Sequence, residues 1–125
     1  AEISVGELYD KITILNIKLK KINDPNKLKN IKIELDALIE QSNKLILKDD
    51  ETLRKNIKKL QDINEELWDI ENAKRECEAN KEFGEIFIKI SRDVHFKNDI
   101  RASIKKEINL LSNSKITEEK EYSKY

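Results

Sequence analysis

A chain of 125 residues, 38% of them hydrophobic, is one domain with apolar material for a single core. Charged residues make up 40%, while glycine numbers 2, proline 1 and aromatics 6%. So few turn-formers among abundant Lys, Glu, Leu and Ile imply long helices on short loops and exclude a β sandwich or barrel. The 25 basic residues balance 25 acidic ones, so no global field steers the chain to nucleic acid or a membrane.

Lysine richness does not point to nucleic acid either, because Lys, Ile and Asn together are what an A/T-rich genome encodes. Cys77 is the only cysteine, which excludes an intramolecular disulfide and a multi-cysteine zinc site. Neither a membrane-length apolar run nor a signal-peptide pattern is present. The sequence reads as soluble and cytoplasmic.

Ser4-Val5-Gly6-Glu7 has the form of a capping box and opens the first helix. Leu8, Ile12, Leu15, Leu19 and Ile22 give it one apolar stripe, widened by Ile14 and Ile17. Asn23-Asp24-Pro25 ends that helix and starts the second, with Asp24 as N-cap and Pro25 at the first helical position. The second stripe is Leu28, Ile31, Leu35, Leu38 and Leu45, beside Ile39 and Ile46, and the short connection makes an antiparallel hairpin.

Lys48-Asp49-Asp50 is the next break, with Asp50 as the cap. The third helix carries Leu53, Ile57, Leu60, Ile63, Leu67, Ile70 and Cys77, about thirty residues or roughly 45 Å long. Gly84, after Phe83, either ends a helix or opens one. The fourth carries Phe83, Phe87, Ile90 and Val94, then Ile104, Ile108 and Leu111. Its stripe is interrupted over residues 95–101, where the helix kinks, restarts on Asn98 or Asp99, or turns polar groups inward. The organisation is a single helical domain over 1–111 and a polar tail over 112–125, with Tyr122 and Tyr125 able to dock. The simplest packing is an all-α, antiparallel, up-down bundle of four helices. The protruding ends of helices three and four would be covered by homodimerisation in coiled-coil fashion.

Three polar groupings could carry chemistry. Asn64, Trp68, Glu71 and Arg75 are spaced 4, 3 and 4, so they share one helix face beside Leu67. They form either a packed tryptophan with a Glu71–Arg75 rim pair, or the wall of a polar pocket. Glu7 and Asp10, with Glu66 and Asp69, are two E-x-x-D pairs. Opposed pairs of that kind hold Mg²⁺ in all-helical nucleotide pyrophosphohydrolases, the alternative metal reading where none is otherwise expected. Arg92, Asn98, Asp99, Arg101, Lys105 and Asn109 surround the interruption in helix four and hold two of the four arginines, the residue suited to bidentate recognition of carboxylate or phosphate.

Other chemistries lack their residues. A di-iron site needs two Glu-x-x-His motifs, and the chain has one histidine, with Arg92 three positions before His95. Cys77 sits on an apolar stripe and reads as core. Lys18, Lys20, Lys21, Lys27, Lys29 and Lys32 gather around the first turn, whereas residues 62–85 carry nine acids. The two faces are solvated or turned towards each other, or the Lys-rich turn touches a phosphate or an acidic partner.

Val5-Gly6-Glu7-Leu8-Tyr9-Asp10-Lys11-Ile12-Thr13-Ile14-Leu15, then Leu67-Trp68-Asp69-Ile70-Glu71, Asn98-Asp99-Ile100-Arg101 and Glu118-Glu119-Lys120-Glu121-Tyr122 resemble the motifs of an uncharacterised family of short helical bacterial and phage proteins. The resemblance spans nearly the whole chain and implies no activity. The leading expectation is a non-catalytic binding or adaptor protein, without a cofactor. Its groove draws on Asp10, Lys11, Asn64, Trp68, Glu71, Arg75, Arg92, Asn98, Asp99, Arg101 and Lys105, and takes a small anionic or sugar-like ligand or a protein partner. The alternatives are a Mg²⁺-dependent phosphohydrolase acting on a nucleotide, and a purely structural oligomer whose polar residues set register.

Overall fold

A computed structural model describes residues 3–45 and 51–112. Within them lie α1 (Val5–Lys21), α2 (Pro25–Asn43), α3 (Glu51–Ala79) and α4 (Glu85–Leu111), an all-α bundle. The expected cap Asp50, Ile46 and the 113–125 tail with Tyr122 and Tyr125 lie outside the described residues. None of the described helices is long and apolar enough to cross a membrane.

Local chemistry sets the boundaries. Ser4 Oγ accepts from the Glu7 amide at 3.1 Å, but the Glu7 side chain is spent elsewhere (below), so only half of the capping box forms. Asp24 accepts from the Asn26 amide at 2.9 Å, with Pro25 at the first position of α2. That cap stands in solvent, and Asp24→Ala is expected to cost about 1 kcal/mol in chemical denaturation. A cost near zero would mean that packing alone holds the turn. Gly84 opens α4, whereas α3 closes on Lys81, whose φ of 56° is left-handed, with the Glu82 amide donating to the Cys77 carbonyl at 2.8 Å.

The four helices do not share the core evenly. α1 packs against all three others and α3 against α4, whereas among the helices α2 closely approaches α1 alone. The predicted stripe of α1 supplies one core, where Leu8, Ile12 and Leu15 meet Ile31 and Leu35. A second core lies on another face of α1, where Val5 and Tyr9 join Leu53, Leu60, Ile63 and Leu67 of α3 and Ile108 of α4. One apolar stripe, widened by Ile14 and Ile17, was expected, and Ile17 is indeed buried, yet α1 also buries Gly6, Asp10 and Thr13. A helix wedged between a partner and a hairpin needs two buried faces, and the second is partly polar.

α4 is continuous through residues 95–101. Of the readings the sequence left open there, inward-facing polar groups are the one found: Asn98 Nδ2 bonds back to the Val94 carbonyl at 3.0 Å, and Arg101 turns towards α1. At the other end of α1, Lys20 reaches Glu65 at 3.2 Å and Lys21 reaches Asp69 at 3.9 Å, so part of the basic turn does face the acidic stretch. Cys77 is buried.

Candidate functional site

Glu7, Asp10 and Thr13 recur every three residues on α1, which puts them on one side of the helix. That side faces Arg101, Lys105 and Asn109, spaced by four on α4, and Asn64 on α3. Asp10, 1% exposed, is the hub. Arg101 Nε donates to its Oδ1 at 2.9 Å and Arg101 Nη2 to its Oδ2, a bidentate fork. Asn64 Nδ2 donates to Oδ1 at 3.0 Å and to Thr13 Oγ1 at 2.9 Å, while the Thr13 hydroxyl donates to the Asp10 carbonyl at 2.8 Å. Lys105, buried in α4, donates to Glu7 at 2.6 Å and stands 3.7 Å from Asp10. Asn109 accepts from the Gly6 amide at 2.7 Å.

Burial pushes the Asp10 carboxyl upward, but hydrogen bonds from Arg101 and Asn64 and the charges of Arg101 and Lys105 outweigh it. The net effect holds the group below its ordinary value. A buried carboxylate with this many donors stays ionised and fixes the relative positions of α1, α3 and α4.

Directly above the network opens a cleft of about 260 Å³, lined by Ile14 and Ile17 of α1, by Asn64, Leu67, Trp68, Glu71, Asn72 and Arg75 of α3, and by Asn98 and Arg101 of α4. The fork locks Arg101 in place, and Arg101 Nη1 also donates to Asn98 at 3.3 Å. The cleft therefore has a rigid floor, whose guanidinium is engaged by Asp10 and Asn98. Its wall is different. Among the described residues, no hydrogen bond or ion pair engages the side chains of Trp68, Glu71, Asn72 or Arg75.

The structure thus gathers Asp10, Asn64, Trp68, Glu71, Arg75, Asn98 and Arg101 at one place, with Lys105 beneath. It corrects several expectations. The Glu71–Arg75 rim pair does not form among the described residues; both side chains line the cleft. Lys11 is exposed and borders nothing described in the cleft. Arg92 lies over the Phe96 ring, 5.8 Å from its centroid, away from the cleft. Asp99 pairs with His95 at 4.0 Å.

The four candidate magnesium carboxylates are dispersed: Glu7 goes to Lys105, Asp10 to Arg101, Glu66 to Lys97 and Asp69 to Lys21. Among the described residues, no three His, Cys, Asp or Glu side chains are grouped to hold a metal ion. Gly6, Thr13 and Asn72 belong to the arrangement and were not among the expected site residues. The three-residue spacing from Asp10 was the signal for Thr13.

Fold and site together define a small helical bundle organised around a buried ion-pair network, with a polar cleft on top of it. The chain belongs to a family of unknown function, DUF6165, which matches it over residues 1–125. No curated protein and no solved structure matches it.

Proposed function

We propose that the chain is a non-catalytic binding protein whose cleft takes a small, neutral, polyhydroxylated ligand of sugar-like chemistry. The observation that carries this reading is the unengaged wall of Trp68, Glu71, Asn72 and Arg75 above a floor whose Arg101 is already held by Asp10 and Asn98. An indole gives a flat apolar surface with a polar edge, which suits the face of a pyranose-like ring. A carboxylate accepts hydroxyl protons, an amide both donates and accepts, and a guanidinium donates.

Charge favours a neutral ligand over an anion. Asp10 neutralises Arg101 at the floor, and Glu71 offsets Arg75 on the wall. An anion near Arg75 would also meet the Glu71 carboxylate. Bound in this way, a ligand would connect α1, α3 and α4 and stabilise the native state.

Trp68, the only tryptophan, reports on the cleft directly. A panel of neutral monosaccharides is expected to shift its emission saturably at concentrations where inorganic phosphate has no effect. Glu71→Ala should weaken the response about tenfold or more, the loss of a charged hydrogen-bond partner. Saturation by phosphate alone would replace the reading with anion binding at Arg75. No saturable response to any neutral sugar would end it.

A further inference from the structure

The outer face of α4 carries a pattern that neither core uses. Glu85, Arg92, Asp99 and Lys106 are seven residues apart, and their charges alternate in sign along the helix. Seven residues are close to two turns, so the four form a slowly drifting row on one side. Glu85, Arg92 and Lys106 are exposed and Asp99 is half-buried beside His95. Next to the row stand Ile88, Phe96, Ile100 and Leu110, each about half exposed or more. Phe87, Ile88, Ser91, Arg92, His95 and Phe96 bound a shallow apolar depression there.

We propose that this face pairs with the same face of a second copy, the two α4 helices running antiparallel about a twofold axis near Phe96. In a closed twofold pair, where both copies stand in equivalent register, an alternating row of this length complements itself only when reversed. Antiparallel, Glu85 meets Lys106 of the other copy and Arg92 meets its Asp99, each pair occurring twice. Parallel and in register, every charge meets its like, so the row selects direction as flanking charges do in coiled coils. One twofold axis satisfies both kinds of pair, because 85 with 106 and 92 with 99 share a midpoint, half a residue from Phe96. Phe96 then packs near its own copy, and the partner's apolar side chains have the depression to settle in.

The arrangement does not depend on what occupies the cleft, since Asn98 and Arg101 lie on α4's other face. Apolar side chains exposed in a contiguous patch, rimmed by charges, mark an interaction surface.

Sedimentation equilibrium of the full chain tests the pairing. The wild type is expected at twice its 14.7 kDa mass. Arg92→Glu and Asp99→Arg, each reversing one half of two symmetric pairs, should each raise the dissociation constant about tenfold. Mixed together, the two variants should recover wild-type affinity as a heterodimer, because each altered position then faces the opposite charge. Phe96→Glu should give monomer. A monomeric wild type overturns the proposal, and so does a dimer that both charge reversals leave unchanged. Circular dichroism of the same samples, with helix content equal to wild type, separates lost pairing from lost fold.

Discussion

Replacing Arg101 by leucine is expected to lower the unfolding free energy by about 3–5 kcal/mol, the range for breaking one side of a buried ion pair. Asp10 is 1% exposed and cannot turn to water when its fork is removed. Asn64 would still donate to it and Lys105 would remain 3.7 Å away, but Lys105 is already committed to Glu7. The reverse deletion should be milder. Asp10→Asn leaves Arg101, whose side chain is 28% exposed, able to find solvent from the floor of the cleft.

Urea denaturation of both variants at one protein concentration measures the asymmetry. Adding Asp10→Asn to Arg101→Leu should then recover part of the loss, because it removes the stranded charge. A double variant less stable than Arg101→Leu alone would refute the buried-charge account. Arg101→Lys should restore charge but not the fork, and with it only part of the stability.

The same carboxylate sets an acid limit. Its folded pKa lies below the ordinary 3.8, so its stabilising contribution is fully present at neutral pH. That contribution is lost as pH falls below the ordinary value and through the folded one. Asp10→Asn should therefore flatten the acid side of the stability profile and leave the alkaline side unchanged. An equally steep acid limb in the variant would assign the acid sensitivity to other carboxylates.

The helices were legible because their determinants are local. Leu8, Ile12, Leu15, Ile31 and Leu35 repeat at helical spacing, and Asp24-Pro25 marks a boundary by its own chemistry. Asp10 and Arg101 were placed in one groove from the sequence, and they do meet; what escaped was that Asp10 lies buried with Thr13 on a second face of α1. Asp10 and Thr13 are polar, and periodicity assigns polar positions to solvent. Only the presence of Arg101, 91 residues further along, reverses that assignment. The gap in the α4 stripe was the other half of the same fact, since a helix that turns arginine and asparagine inward needs a polar partner facing it. In the Asn64 to Arg75 row, alignment on one face followed from spacing alone, whereas Glu71 and Arg75 standing apart depends on rotamers that spacing does not encode. Arg92 and Asp99 sit close to Arg101 in sequence yet point elsewhere, because a helix turns neighbouring side chains to different faces.

Gly6→Ala should destabilise the chain by about 1–3 kcal/mol, although on helix propensity alone alanine would add about 1 kcal/mol. The sign is decided by how closely α1 approaches α4. A Cβ on Gly6 would stand 2.4 Å from the Lys105 carbonyl oxygen and 3.0 Å from Asn109 Oδ1. The first of these is helix backbone, so relief requires α1 and α4 to separate. Separation would stretch the Gly6 amide bond to Asn109, now 2.7 Å, and the Lys105 bond to Glu7, now 2.6 Å. It would also draw Arg101 from Asp10, loosening the floor of the cleft.

Gly84→Ala is the internal control, because among the described residues a Cβ there meets nothing within 4 Å, and the change should cost less than about 1 kcal/mol, the N-cap preference for glycine over alanine. Thermal and urea unfolding of the two variants side by side give the comparison. Equal stability of both, or a stabilised Gly6→Ala, would mean that the α1–α4 contact yields without cost. In that case the network beneath the cleft does not depend on the missing side chain at position 6.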